Sequence, residues 1–307
     1  MKNSFRDFNK KWNRFWFESY APTQLNLLRK AVAVFLFGFY AIRALDLEWL
    51  YSQSGLLTLD TLNEAFPFIY RWSLLRWLSS DTSIYALHSL FLISLLGMLS
   101  RKYARIFTIV AYVLHLSFLQ RNVVTLFGAD NIATHLLFCL CLVPPSSFKE
   151  IEHSKNLKSI FGSIAFRFLQ IQICVIYIYS GLEKLKGPTW WKGEAIWNVI
   201  ANPQYARVNL DWAAHFPLLL SIATYLTLLW EIYFIILVWL PNWRRKILMF
   251  GVVFHAGIGF MVNIPFFSML MIASYSVFLT STEVKTMTSV VKSLKRLRFP
   301  FSFTASK

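Results

Sequence analysis

Apolar and polar positions in this chain fall into blocks rather than alternating residue by residue. Long runs with few charges recur, each closed by a short polar or basic break. Eight such runs predict helical spans at about 30–50, 83–100, 106–120, 131–145, 160–182, 216–240, 247–263 and 265–281. The longer ones match the roughly 17–25 apolar residues that a helix needs to cross hydrocarbon. The shorter ones imply tilt, interfacial flanks or burial between neighbours. Ahead of the first run, MKNSFRDFNKKWNRFWFESY interleaves Phe and Trp with Lys and Arg and has no continuous apolar core. That pattern predicts an amphipathic helix lying in the membrane interface, not a cleavable signal peptide. The fold class expected is all-α, a polytopic membrane helical bundle of about eight transmembrane helices with interfacial helices. Its parts are an interfacial segment over 1–26, a transmembrane domain over 27–281 and a basic tail over 282–307. Two connections, 51–82 and 183–215, are long and rich in aromatic and aliphatic residues. Both are expected to fold onto the mouth of the bundle and jointly roof a cavity.

Composition supports this picture. Of 307 residues, 56% are hydrophobic, 18% aromatic and only 15% charged, where a soluble domain carries about 25% charged residues. The net charge of +16 is spread over the N-terminal arm, short turns and the tail. No groove-reading motif accompanies it, so no nucleic acid partner is expected. Basic residues gather in alternate connections and acidic ones in the others. The positive-inside rule then puts both termini in the cytoplasm of a multi-pass cell-membrane protein, with the lipid bilayer as first partner. Cys139, Cys141 and Cys174 all lie in apolar runs, without zinc or disulfide spacing.

Ionisable groups at membrane depth cost ~2.5–3.5 kcal/mol each at a helix centre, so each needs a reason. His88, His115 and His135 read as hydrogen-bonded core histidines, and the absence of ligand spacing predicts no metal. His255 stands apart because small residues follow it in VFHAGIGF. Arg167 and Glu231, at similar depth in neighbouring runs, form a candidate structural pair. Arg121 and Asn122, with Gly128, Asp130 and Asn131, make a polar seam in RNVVTLFGADN. There Arg121 is a candidate partner for Asp130, and Asp130 or Asn131 suits an N-cap.

The segment YSGLEKLKGPTWWKG carries the sharpest question. Tyr177, Ser180, Gly181 and Lys184 fall on one helical stripe, and small residues at 180 and 181 admit a close neighbour. Lys186 and Lys192 are explained by snorkelling, and the tryptophans by headgroup contact. Lys184 lies deeper. An amine held away from water favours its neutral form, which a general base requires.

RNVVTLFGADNIATHLLFCLCLVPP, YSGLEKLKGPTWWKGEAI and VFHAGIGF together resemble the HTTM family, the transmembrane domain shared with vitamin K-dependent gamma-carboxylases. The likeness runs in order from about 25 to 281. It implies a catalytic base at Lys184, which would deprotonate a reduced quinone of the vitamin K hydroquinone kind, and a second catalytic position at His255. Tyr177, Gly181, Trp191, Arg121, Asn122, Asp130 and Asn131 are the candidate substrate- or ligand-binding residues. Where the family motif has Asn and His ahead of the fourth span, this chain has Asp130 and Asn131. The chain ends soon after the eighth span, so it looks like the short bacterial HTTM proteins. One such group resembles membrane proteins that mature a secreted sporulation-delaying peptide toxin. Two functions follow: a quinol-dependent, carboxylase-like enzyme acting on an exported peptide or protein, and a non-catalytic accessory protein for peptide maturation or export. A transporter is disfavoured, since no paired broken helices occupy corresponding positions of two halves.

Overall fold

The computed structural model describes residues 2–17, 22–66, 72–100, 102–143, 157–204 and 207–297. Among them the chain is helical, with no strand. The amphipathic α1 (Lys2–Phe17) precedes α2 (Pro22–Arg43), and three short helices follow: α3 (Leu47–Tyr51), α4 (Leu59–Ala65) and α5 (Leu74–Trp77). Next come α6 (Asp81–Gly97), α7 (Ala104–Arg121), α8 (Gly128–Cys141) and the long α9 (Leu157–Leu185). After the short α10 (Pro188–Trp191) and α11 (Ala195–Ile200), the chain continues as α12 (Pro217–Leu237), α13 (Pro241–Met261), α14 (Pro265–Ser274) and α15 (Ser281–Leu297).

Helices thus occupy all eight predicted positions. Among the described residues, three stretches are long and apolar enough to cross a membrane on their own: Pro22–Tyr51, Ile160–Leu185 and Pro217–Leu237. The first begins well ahead of the expected residue 30. Proline at the first turn opens α12, α13 and α14, where its missing N–H has no intrahelical partner to lose. Ser80 and Thr58 cap α6 and α4 through their side-chain oxygens. Asn263, at φ 57°, makes the left-handed turn between α13 and α14.

The core centres on α2, which packs against α6, α8 and α14; α9 packs on α12, and α13 on α14. Leu25, Val32, Leu36 and Tyr40 of α2 are buried with Phe91 of α6 and Phe118 of α7. Large apolar side chains also cover the outside, among them Leu218 at 74% exposure and Val253 at 72%. A water-facing surface does not tolerate such coverage, whereas hydrocarbon does. This is a helical membrane bundle. On α1, Phe15 and Trp16 pack against α9 and Trp239, leaving Phe8 and Trp12 outward.

The polar seam turns out to be a fastening for the first long connection. Arg121, fully buried, donates to the carbonyls of Leu57 (2.7 Å) and Ser52 (2.6 Å), and Asn122 donates to that of Leu50 (2.7 Å). The expected Arg121–Asp130 pair is therefore replaced. Asp130 lies 3.4 Å from Arg43 of α2 and accepts from the Phe127 N–H at 3.3 Å, three positions inside α8 instead of at its cap. Asn131 is exposed and lends its carbonyl to His135. The other histidines are bonded as expected: His115 to Tyr40 and Thr134, His88 to the Tyr40 carbonyl.

Candidate functional site

The second half of the bundle encloses a cavity of about 560 Å³ between α9, α12, α13 and α14. Its walls are apolar, with Ile176, Ile196, Leu220 and Phe254 among them. The second long connection roofs it through α11 and Trp212. The first connection contributes none of the described lining residues, so the expected joint roof is a single one. Polar bonds hold the roof to α12. Tyr225 donates to the Trp191 carbonyl at 2.7 Å, and Thr224 bonds the Gly193 carbonyl and the Ile196 N–H. Gly193, at φ +75°, sits against Ser221 where a Cβ would approach to 2.8 Å, so glycine is required for both space and conformation.

The polar groups of the cavity gather at its inner end. Lys184 Nζ lies 2.8 Å from Glu231 Oε2 and 3.0 Å from Oε1, and donates to Ser180 Oγ at 2.6 Å. The lysine side chain is 23% exposed and the glutamate 6%. The Trp190 ring lies 5.3 Å from the ammonium, within range of a cation–π contact. Beside this pair, the Tyr177 hydroxyl bonds His255 Nε2 at 2.7 Å and also the Tyr275 hydroxyl. His255 is buried, lines the cavity, and its Nδ1 has no hydrogen-bond partner. Gly257 lines the cavity two residues along; a Cβ added there would touch nothing within 4 Å.

Several expected site residues meet here: Lys184, His255 and Tyr177 line one cavity. Others do not. Gly181 packs α9 against α12, its position only 2.8 Å from Ile232 Cγ1 for an added Cβ. Trp191 is 62% exposed and donates to the Leu185 carbonyl, so it is Trp190 that faces the cavity. Arg121, Asn122, Asp130 and Asn131 stand away from the lining, at the seam.

The Arg167–Glu231 pair is overturned. Glu231 binds Lys184, while Arg167 donates to the Phe15 carbonyl and to Gln170, with its guanidinium over the Phe15 ring. Helix register explains the exchange. Gly181 seats α9 directly on Glu231 and Ile232, which brings Lys184 level with the carboxylate. At 1.5 Å per residue, Arg167 lies roughly 21 Å back along α9 from Gly181. Glu231 as part of the site, Trp190 and Tyr275 were missed from the sequence. The Glu231 signal was present, as a carboxylate alone in an apolar run. Tyr275 had none, because only the approach of α14 to α9 gives it a role.

These features define a class, a helical membrane bundle holding a half-buried lysine against a buried glutamate in an apolar cavity. Residues 147–282, which include every polar group of the cavity, match the HTTM domain. The chain is 28% identical over 174 residues to the sporulation-delaying protein SdpB of Bacillus subtilis (strain 168), covering 52% of this chain and 54% of that protein. It is 26% identical over 178 residues to the uncharacterized protein YitO of the same organism, covering 54% and 57%. The chain thus spans about half the length of the curated relatives it matches. No solved structure matches it.

Proposed function

We propose that this protein is an HTTM-type membrane enzyme that modifies an exported peptide, drawing on a reduced quinone and using the Lys184–Glu231 pair for proton abstraction. The observation that supports this reading is a half-buried lysine paired with a buried glutamate at the polar end of an otherwise apolar cavity. Its volume, about 560 Å³, lies in the ordinary range for small-molecule sites.

The residues fit a quinol. Ile176, Leu220 and Phe254 offer surface to an aromatic ring and hydrocarbon tail, while Lys184, Glu231 and the unpartnered His255 Nδ1 offer polar contacts to its hydroxyl groups. A bound reduced quinone would supply a phenolic proton and the electrons that activate oxygen. The protein's own work is then to hold, orient and deprotonate. The Lys184–Glu231 pair takes up the proton, a role that the family resemblance attaches to the lysine position. Tyr177 and Tyr275 fix the His255 ring. Trp190, Trp212 and α11 exclude water, which strengthens every charge interaction beneath them. Gamma-carboxylation of a peptide glutamate is the reaction implied by the resemblance. In this reading the chain is multi-pass with both termini cytoplasmic, and the roofed cavity opens on the side where an exported peptide emerges.

A second reading has the protein as a non-catalytic accessory for peptide maturation or export. The two hydrogen bonds from Lys184, to Ser180 and to Glu231, favour it, since an ion pair of this kind also serves as a latch between α9 and α12. Mass spectrometry of secreted peptides, with and without the protein and with Lys184→Ala, separates the two. The enzyme reading expects a carboxyl mass gain on glutamate that disappears with a folded Lys184→Ala protein. Peptide maturation that survives Lys184→Ala assigns the accessory role.

A further inference from the structure

Within the pair, the lysine is not the group best placed to receive a proton. Lys184 as an ammonium has three N–H donors and no lone pair. It donates to Ser180 Oγ at 2.6 Å and to Glu231 Oε1 at 3.0 Å, and lies 2.8 Å from Glu231 Oε2. The ammonium is thus a donor to its neighbours and offers no site for an incoming proton. The carboxylate has lone pairs to spare on both oxygens. Its Oε2, although close to the cation, makes no aligned hydrogen bond. Glu231 is buried and lines the cavity.

We propose that Glu231 is the proton acceptor of this site and that Lys184 is its fixed counter-charge. This deepens the proton-abstraction reading given above and rests on it. In the step, the O–H bond of a hydroxyl compound in the cavity breaks and its electron pair stays on the donor oxygen. The proton passes to Glu231 Oε2. The carboxylate becomes a carboxylic acid, and the ammonium, released from its anion, faces the new negative charge. The net charge of the site does not change, so the low-dielectric pocket has no isolated charge to bear. A neutral amine as acceptor would first need the pair to lose a proton.

Dicyclohexylcarbodiimide tests this without any turnover. The reagent is apolar, and a carboxylate together with a proton drawn from the medium adds across its C=N bond, oxygen to carbon and proton to nitrogen, with no leaving group. Applied to the full-length protein in lipid nanodiscs and mapped by peptide mass spectrometry, it is expected to give an adduct on Glu231. Lys184→Arg should still be labelled, Glu231→Gln should not, and Gly257→Phe, which takes space from the cavity, should slow labelling. Menaquinol consumption is measured in parallel, with size-exclusion profiles to confirm folding. Arginine keeps the charge but does not act as a base, so Lys184→Arg should retain activity within about tenfold. Glu231→Gln should lose roughly a hundredfold or more, with partial recovery in Glu231→Asp. A folded protein whose Glu231 resists the reagent overturns the assignment, and so does an inactive Lys184→Arg beside an active Glu231→Gln. Labelled Glu231 without menaquinol consumption supports the acceptor and overturns the quinol reading alone.

Discussion

Arg121 shows how this chain accommodates a buried cation without a carboxylate. Its guanidinium ends on two main-chain carbonyls, Leu57 and Ser52, in the connection that follows α3. A planar fork reaches both at once, and a lysine has no such reach. Removing it strands the Leu57 carbonyl in particular, since the Ser52 carbonyl also accepts from the Gly55 N–H. Arg121→Leu is expected to cost about 1–3 kcal/mol for each carbonyl left unsatisfied. Thermal unfolding in detergent should show the loss, and hydrogen exchange should quicken over residues 50–58. Arg121→Lys should fall between the two. Lys184 and Arg121 thus differ in kind: one faces a cavity and a carboxylate, the other is entirely committed to backbone.

Glu283, in the first turn of α15, shows what holds the tail to the bundle. The carboxylate accepts from the Thr280 N–H at 2.7 Å and the Thr280 hydroxyl at 2.9 Å, and lies 3.1 Å from Arg245 and 3.7 Å from Arg244 of α13. These partners, the Thr280 N–H foremost, hold its pKa down from the ordinary 4.5 to about 2. Because the folded value is depressed, the attachment is complete above about pH 4.5 and is lost as pH falls toward 2. Hydrogen exchange over residues 281–287 should accelerate through that window, and Glu283→Gln should be fast already at neutral pH. Elements of this kind divide by legibility. The eight apolar runs were readable because hydrocarbon admits little but helices with their backbone bonds closed internally. Lys184, Tyr177 and His255 were readable as site residues from a stripe of small neighbours and from family resemblance. The partner of Glu231 was not, because it depends on where Gly181 lets two helices touch, and the two candidate cations stand 17 residues apart along α9.

At the scale of the whole molecule, the two halves do different work. Around α2, buried polar groups end on backbone or on one another, and the first long connection is fastened down. Around α9 and α12, a cavity is left open and its polar groups are kept at one end. In the proposed topology the roof of that cavity lies outside the cell and α15 inside. Single cysteines test this in a background without the native three, two of which are buried. Gln204→Cys should react with an impermeant maleimide in intact cells, whereas Arg245→Cys should react only after the membrane is opened. The reverse pattern would invert the assignment.

The bare backbone at Gly257 makes the cavity a measuring device. Since a Cβ there meets nothing within 4 Å, Ala, Val, Leu and Phe in turn would take growing volumes from the chamber. The size at which function stops would then gauge the bulk of the natural occupant, before anyone has isolated it. A gradual decline would mean a small or pliant guest, and an abrupt stop a rigid one that already fills the space.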